Sequence, residues 1–283
     1  MHATILRVLT GGALVATAAT AHADDWNRTY PVTGHPRLEV VTDDAQVRVT
    51  VGDPHTVGIH VHTEGWKIES GGISIRAEQT GDQIRFEARE PHFNWGIYFH
   101  SRHVEIDLTV PTELALDIET GDGDVTLAPL GGAVRVHTGD GAVSAEGLHG
   151  DLRLESGDGQ IRARDLEGHL FAHTGDGSIA VSGRFTGLEL SSGDGRIEAT
   201  VTSGSKVSET WSLHTGDGSI VLRVPRDLAA DLEADTGDGS IDADLPVSVE
   251  GRLVGHHMHG HLNGGGELLR LRSGDGNIHI AAL

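Results

Sequence analysis

The triplet Gly-Asp-Gly occurs eight times, centred on Asp122, Asp140, Asp158, Asp176, Asp194, Asp217, Asp238 and Asp275, and no other feature constrains the fold as tightly. Successive copies are 18, 18, 18, 18, 23, 21 and 37 residues apart. Thr or Ser stands two residues before every Asp (Thr120, Thr138, Ser156, Thr174, Ser192, Thr215, Thr236, Ser273), and Val or Ile stands three after it. Apolar residues also recur six and four before the Asp and five after it; for the Asp158 copy these are Leu152, Leu154 and Ala163. Such alternation on both sides of a tight corner reads as strand, turn, strand with one face buried. An isolated hairpin cannot bury that face. A fixed period with matching columns therefore predicts coils stacked into a parallel β-helix-like solenoid, each column in line at about 4.8 Å per rung.

The glycines of the triplet are expected to reverse the chain through positive φ, and the Asp carboxylates to accept hydrogen bonds from backbone N–H groups of their own turn. A second corner lies half a period away, where Leu130, Leu148 and Leu166 are each followed two residues later by Gly132, Gly150 and Gly168. The next unit slips at Arg184-Phe185-Thr186-Gly187. A ninth, degenerate copy surrounds Asp44, with Leu38, Val40, Thr42, Val47 and Val49 in the repeat columns. The reading is an all-β solenoid of roughly nine rungs. Residues 24–111 form an irregular N-terminal β cap that holds the degenerate copy. The repeats proper occupy 112–283, with insertions near 199–213 and 244–268. The aromatic-rich stretch Pro91–Phe99 is expected to close the open end of the core.

Residues 1–23 read as a signal peptide. Arg7 gives a positive start, an apolar stretch runs from Val8 to Ala19, and Ala21-His22-Ala23 is a small-x-small cleavage pattern. No later segment approaches 18 consecutive apolar residues, so no membrane span is expected after cleavage. The chain has no Cys, which excludes disulfides, thiolate metal sites, cysteine nucleophiles and lipidation at cysteine. Export without disulfides fits a bacterial periplasm or cell surface. The 42 acidic residues outnumber the 21 basic ones, for a formal charge of −21, and such a chain repels nucleic acid and anionic membranes.

The Thr-Gly-Asp-Gly-Ser-Ile repeats, the signal peptide, the Val224-Pro225 step and the Asn263-Gly264-Gly265-Gly266 step before the last strand pair resemble the bacterial "putative adhesin" β-strand-repeat family. These are exported proteins built around a domain of unknown function. The resemblance covers about Leu38 to Leu283. It implies a β-solenoid and carries no catalytic residue with it.

In calcium-binding nonapeptide repeats the Asp follows the glycines at a nine-residue period. Here the Asp lies between the glycines, one per 18 residues, so the eight Asp corners read as structural turns. The column three before the Asp runs Glu119, His137, Glu155, His173, Ser191, His214, Asp235, Arg272. Its alternation of Glu and His is metal-ligand chemistry, or a device against a like-charge ladder. His60 and His62 share a strand face without a nameable third ligand. His256, His257, His259 and His261 form the densest histidine cluster; they are expected in a Gly-flanked loop that captures metal adventitiously, for want of supporting carboxylates. No G-x-S-x-G elbow, Walker A or dinucleotide fingerprint is present. The function expected is a non-enzymatic, adhesin-like binding or scaffold module of the cell envelope, with no cofactor and with a protein or glycan partner. The alternatives are a β-helix enzyme acting on polysaccharide through an acidic groove beside the insertions, and a divalent-metal-capturing periplasmic protein.

Overall fold

Alternating Val, Ile, Leu and Ala with polar residues between them leaves the chain one apolar face per strand, and in the computed structural model these faces turn inward to a common core, fully buried in mid-stack and partly buried on the outer strands Ser74–Thr80 and Ile241–Asp244. The structure describes residues 23–68, 72–91, 103–245, 247–249 and 256–283. The signal-peptide reading of residues 1–22 and the closing role expected of His92–Phe99 lie outside them. Among the described residues there is no helix.

The N-terminal strands are β1 (Ala23–Pro31), β2 (Arg37–Thr42), β3 (Gln46–Val51), β4 (Thr56–Glu64), β5 (Ser74–Thr80), β6 (Gln83–Arg89) and β7 (His103–Val110). The 18-residue repeats supply β8 (Ala115–Thr120), β9 (Val125–Leu127), β10 (Gly131–Thr138), β11 (Val143–Glu146), β12 (His149–Ser156), β13 (Ile161–Thr174) and β14 (Ile179–Ser192). They continue in β15 (Ile197–Val201), β16 (Trp211–Thr215), β17 (Ile220–Val224), β18 (Ala230–Thr236) and β19 (Ile241–Asp244). The last four are β20 (Val247–Val249), β21 (His257–Leu262), β22 (Leu268–Ser273) and β23 (Ile278–Ala282).

Two parallel faces result. Sheet I stacks β6, β2, β8, β10, β12, the second halves of β13 and β14, β16, β22 and β18. Sheet II stacks β7, β3, β9, β11, the first halves of β13 and β14, β15, β17, β23 and β19. One strand from each sheet makes a rung, and the stack has one more rung than the repeats alone predict, because β6 and β7 lie outside β2 and β3. Chain order and stack order part company at both ends. The rung of β18 and β19 is outermost, and β22 and β23, the last in sequence, slot in beneath it against β16 and β17. The 37-residue gap is thus a detour over the end of the stack.

Antiparallel strands cover three of the four sheet ends. β5 lies on β6, β4 and then β1 lie on β7, and β21 followed by β20 lies on β18. They occupy edges that would otherwise offer open hydrogen-bond rows to another chain. At the fourth end β19 pairs only with β23 among the described residues.

The inward columns make one continuous core: Leu152, Leu154, Ile161 and Ala163 and their equivalents are buried in rung after rung. At the slipped unit the pairing of β13 with β14 shifts register, so that Gly183 stands opposite Leu166 and the buried Phe185 opposite Gly168.

The Gly-Asp-Gly corner is built differently from the expectation. None of its glycines has a positive φ. They are glycines because the rungs approach too closely for a Cβ: one on Gly159 would overlap the Gly141 carbonyl, and the same holds between successive rungs. Positive φ belongs to the opposite corner, at Gly132 (109°), Gly150 (120°) and Gly168 (120°). The carboxylates of the triplets stand exposed and do not hold their turns; the Thr/Ser column does. Thr174 Oγ1 donates to the Gly159 carbonyl at 2.9 Å and accepts from the Gly177 N–H at 3.2 Å. Equivalent bonds run from Thr138 through Ser156, Ser192, Thr215 and Ser273 to Thr236. This buried hydroxyl ladder supplies the donors and acceptors that the kinked corner takes away from the strands.

Candidate functional site

In-register stacking turns each outward column into a straight row of side chains. On sheet II one row reads Asn27, His60, Asp107, Arg48, Thr126, Ser144, Arg162, Ala180, Glu198, Val221, His279, Asp242. Near its middle an open groove of about 460 Å³ is lined by Thr126, Ser144, Glu146, Arg162, Arg164, Ser182, Glu198 and Thr200, above the small buried side chains of Ala145, Ala163 and Val181. Arg164 bonds Glu146 at 2.8 Å across one rung and holds the Glu146 carboxyl below the usual carboxylate range. Arg223 bonds Glu198 likewise. Among the described residues Arg162 has no such ion pair, and it is exposed at the groove.

The eight corner aspartates run along one edge of the stack, their glycines linked rung to rung by Gly N–H to Gly C=O bonds. On sheet I the Glu/His column is also real: Glu119, His137, Glu155, His173, Ser191, His214, Arg272 and Asp235 follow one another on successive strands. Glu155 is held by Arg153, its neighbour on the same strand, and Arg153 also stacks on the Phe171 ring at 4.0 Å.

The histidine-rich segment is a strand rather than a loop, and it does not lack carboxylates. His257, His259 and His261 share one face of β21, directly opposite Asp235, Glu233 and Asp231 of β18. His257 pairs with Asp235, and His261 Nδ1 lies 2.6 Å from Asp231. That bond, with the Gly266 N–H, lowers the pKa of Asp231. His256 turns away, its Nδ1 2.9 Å from the Gly239 carbonyl. His256, His257 and His261 are thus each claimed by a separate partner, and Glu233, opposite His259, is bonded by Arg270 instead. The partner unnameable for His60 and His62 is Asp25, 3.3 and 2.8 Å from them across β1 and β4. The contact raises the pKa of His62 and lowers that of Asp25. Sequence spacing did not reveal Asp25 because antiparallel pairing of β1 brings it there.

One group among the described residues has metal-ligand spacing, and the repeat columns did not single it out: Asp242, Asp244 and His279, with one potential ligand atom from each all within 4.8 Å of one another. The two aspartates lie on β19, and His279 comes from β23, which stacks beneath it only because of the out-of-order rung.

No curated protein matches the chain. Among solved structures it is similar to a "putative cell adhesion protein" from Clostridium sporogenes, with 11% identity, 93% of this chain and 100% of the other covered, and a TM-score of 0.30. It is also similar to a "putative adhesin" from Bacteroides fragilis, with 10% identity, 92% and 97% covered, and a TM-score of 0.36. The family model described as Toastrack DUF4097 matches residues 35–281, nearly the whole rung stack, and the chain belongs to that family.

Proposed function

We propose that this chain is an exported, non-enzymatic binding or scaffold module of the bacterial cell envelope, and that the outer face of sheet II carries the interaction. The observation behind this reading is the groove over Ala145, Ala163 and Val181. It is open and shallow, lined by hydroxyls from β9, β11, β14 and β15 (Thr126, Ser144, Ser182 and Thr200), with the Arg162 and Arg164 guanidinium groups side by side on β13 between them. An extended polymer carrying hydroxyls or carboxylates meets such a surface on several successive rungs, so that many weak contacts add up.

The carboxylates of the groove argue against hydrolysis. A glycosidase needs one carboxyl with a raised pKa to protonate the leaving group. Here Glu146 is lowered by Arg164, and Glu198 is engaged by Arg223. The test is a glycan array, together with purified peptidoglycan and envelope polysaccharides, probed with the purified chain and with Arg162→Ala/Arg164→Ala. Binding of an envelope polymer that falls at least tenfold in the variant is expected. Equal binding by both proteins, or turnover of the polymer, would overturn the reading.

A further inference from the structure

We infer that Asp242, Asp244 and His279 form a site for a divalent transition-metal ion at the end of sheet II. Asp242 and Asp244 are two residues apart on β19 and so project from the same face. His279 stands directly opposite Asp242 on β23, its Nδ1 3.4 Å from Asp242 Oδ2 and its Nε2 3.9 Å from Asp244 Oδ2. The imidazole therefore sits between the two carboxylates, and single donor atoms from all three already lie within 4.8 Å of one another. Ligands of a tetrahedral zinc ion are about 3.4 Å apart, given bonds of roughly 2.0–2.2 Å, a spacing that small rotations of two exposed aspartates would supply.

Charge separates this trio from the groove glutamates on the same face. Glu146 has Arg164 and Glu198 has Arg223. The positions flanking His279 and Asp244 on the same face hold Val221 and Ala281, so the two carboxylates share one imidazole as their counter-charge. The site is also open on one side, since no strand lies beyond β19 among the described residues. Three protein ligands with room for water is the pattern of an exchangeable zinc site rather than a closed structural one. The donor set suits zinc, cobalt or nickel, and an imidazole with two carboxylates is too few and too soft for calcium. The histidines of β21 lack this arrangement: His257 and His261 are each engaged with a separate aspartate, and the Glu233 opposite His259 is held by Arg270.

The experiment is isothermal titration of the purified full chain with zinc chloride, paralleled by cobalt(II) absorption. Three variants accompany the parent: Asp242→Asn/Asp244→Asn, His279→Ala, and His257→Gln/His259→Gln/His261→Gln. One equivalent of zinc is expected to bind the parent and the β21 triple variant with the same affinity. Its affinity should fall at least tenfold in the other two, and the cobalt band should disappear in His279→Ala. All substituted side chains are at least partly exposed, and circular dichroism would confirm that each variant folds. Failure of the parent to bind zinc would overturn the inference. Zinc retained by Asp242→Asn/Asp244→Asn but lost from the β21 variant would do the same. Because the groove variant Arg162→Ala/Arg164→Ala leaves this trio intact, the outcome is independent of the polymer-binding assay.

Discussion

Replacing Thr174 with Val removes one hydroxyl from the corner ladder and keeps the shape of the side chain. Thr174 is fully buried. Its loss leaves the Gly177 N–H without its 3.2 Å acceptor and the Gly159 carbonyl without its 2.9 Å donor. Each stranded group costs about 1–3 kcal/mol, and burying the extra methyl returns about 0.8 kcal/mol, which puts the net loss at about 3 kcal/mol. For a domain near this size about 1 kcal/mol moves Tm by roughly 2–4 °C, so a fall of about 6–12 °C is expected. Asp176, two residues on, is exposed, and Asp176→Ala should lie within about 0.5 kcal/mol of the parent, as surface changes usually do. Urea and thermal unfolding of the two variants side by side decide the matter. Equal losses, or a larger one for Asp176→Ala, would show that the carboxylates and not the hydroxyls hold the corners.

Leu154→Asp should abolish folding, because Leu154 is buried in mid-stack while Gln160 is exposed; Gln160→Asp should be mild, and similar unfolding curves for the two would refute the register. Calcium should raise Tm no more than sodium chloride of equal ionic strength, since the corner carboxylates are exposed and need charge screening rather than a particular ion. A true calcium site at a hundredfold excess over its Kd would add about 2.7 kcal/mol, and such a gain lost in Asp158→Asn/Asp176→Asn would refute the structural role. The Asp25–His62 contact raises the pKa of His62 and lowers that of Asp25. The His62 contribution is complete below about pH 6.5 and is lost as the pH rises through the raised value; that of Asp25 is complete above about pH 3.9 and is lost as the pH falls through the lowered one. Thermal melts of the parent and His62→Gln should therefore differ, by a small amount, between about pH 4 and 6.5 and converge as the pH rises through the raised His62 value; a pH-independent gap would refute the pairing.

The periodic columns alone were enough to specify a stacked β-solenoid. Apolar alternation at period two buries one face of each strand, and matching columns bring equivalent residues into line, whatever the turns do in detail. The Glu/His row and the edge of aspartates followed from the same arithmetic. The reason for the glycines was not legible, because a tight corner with positive φ and a close approach between rungs demand the same residue; only the positions of the neighbouring carbonyls distinguish them. Nor was the order of the rungs. Gly-Asp-Gly copies are nearly interchangeable as stacking partners, and a longer loop adds little closure entropy, so the period does not say which copy lies on which. That decision belongs to the tertiary structure. It inserts β22 and β23 beneath β18 and β19, lays the histidines of β21 against the carboxylates of β18, and sets His279 between Asp242 and Asp244.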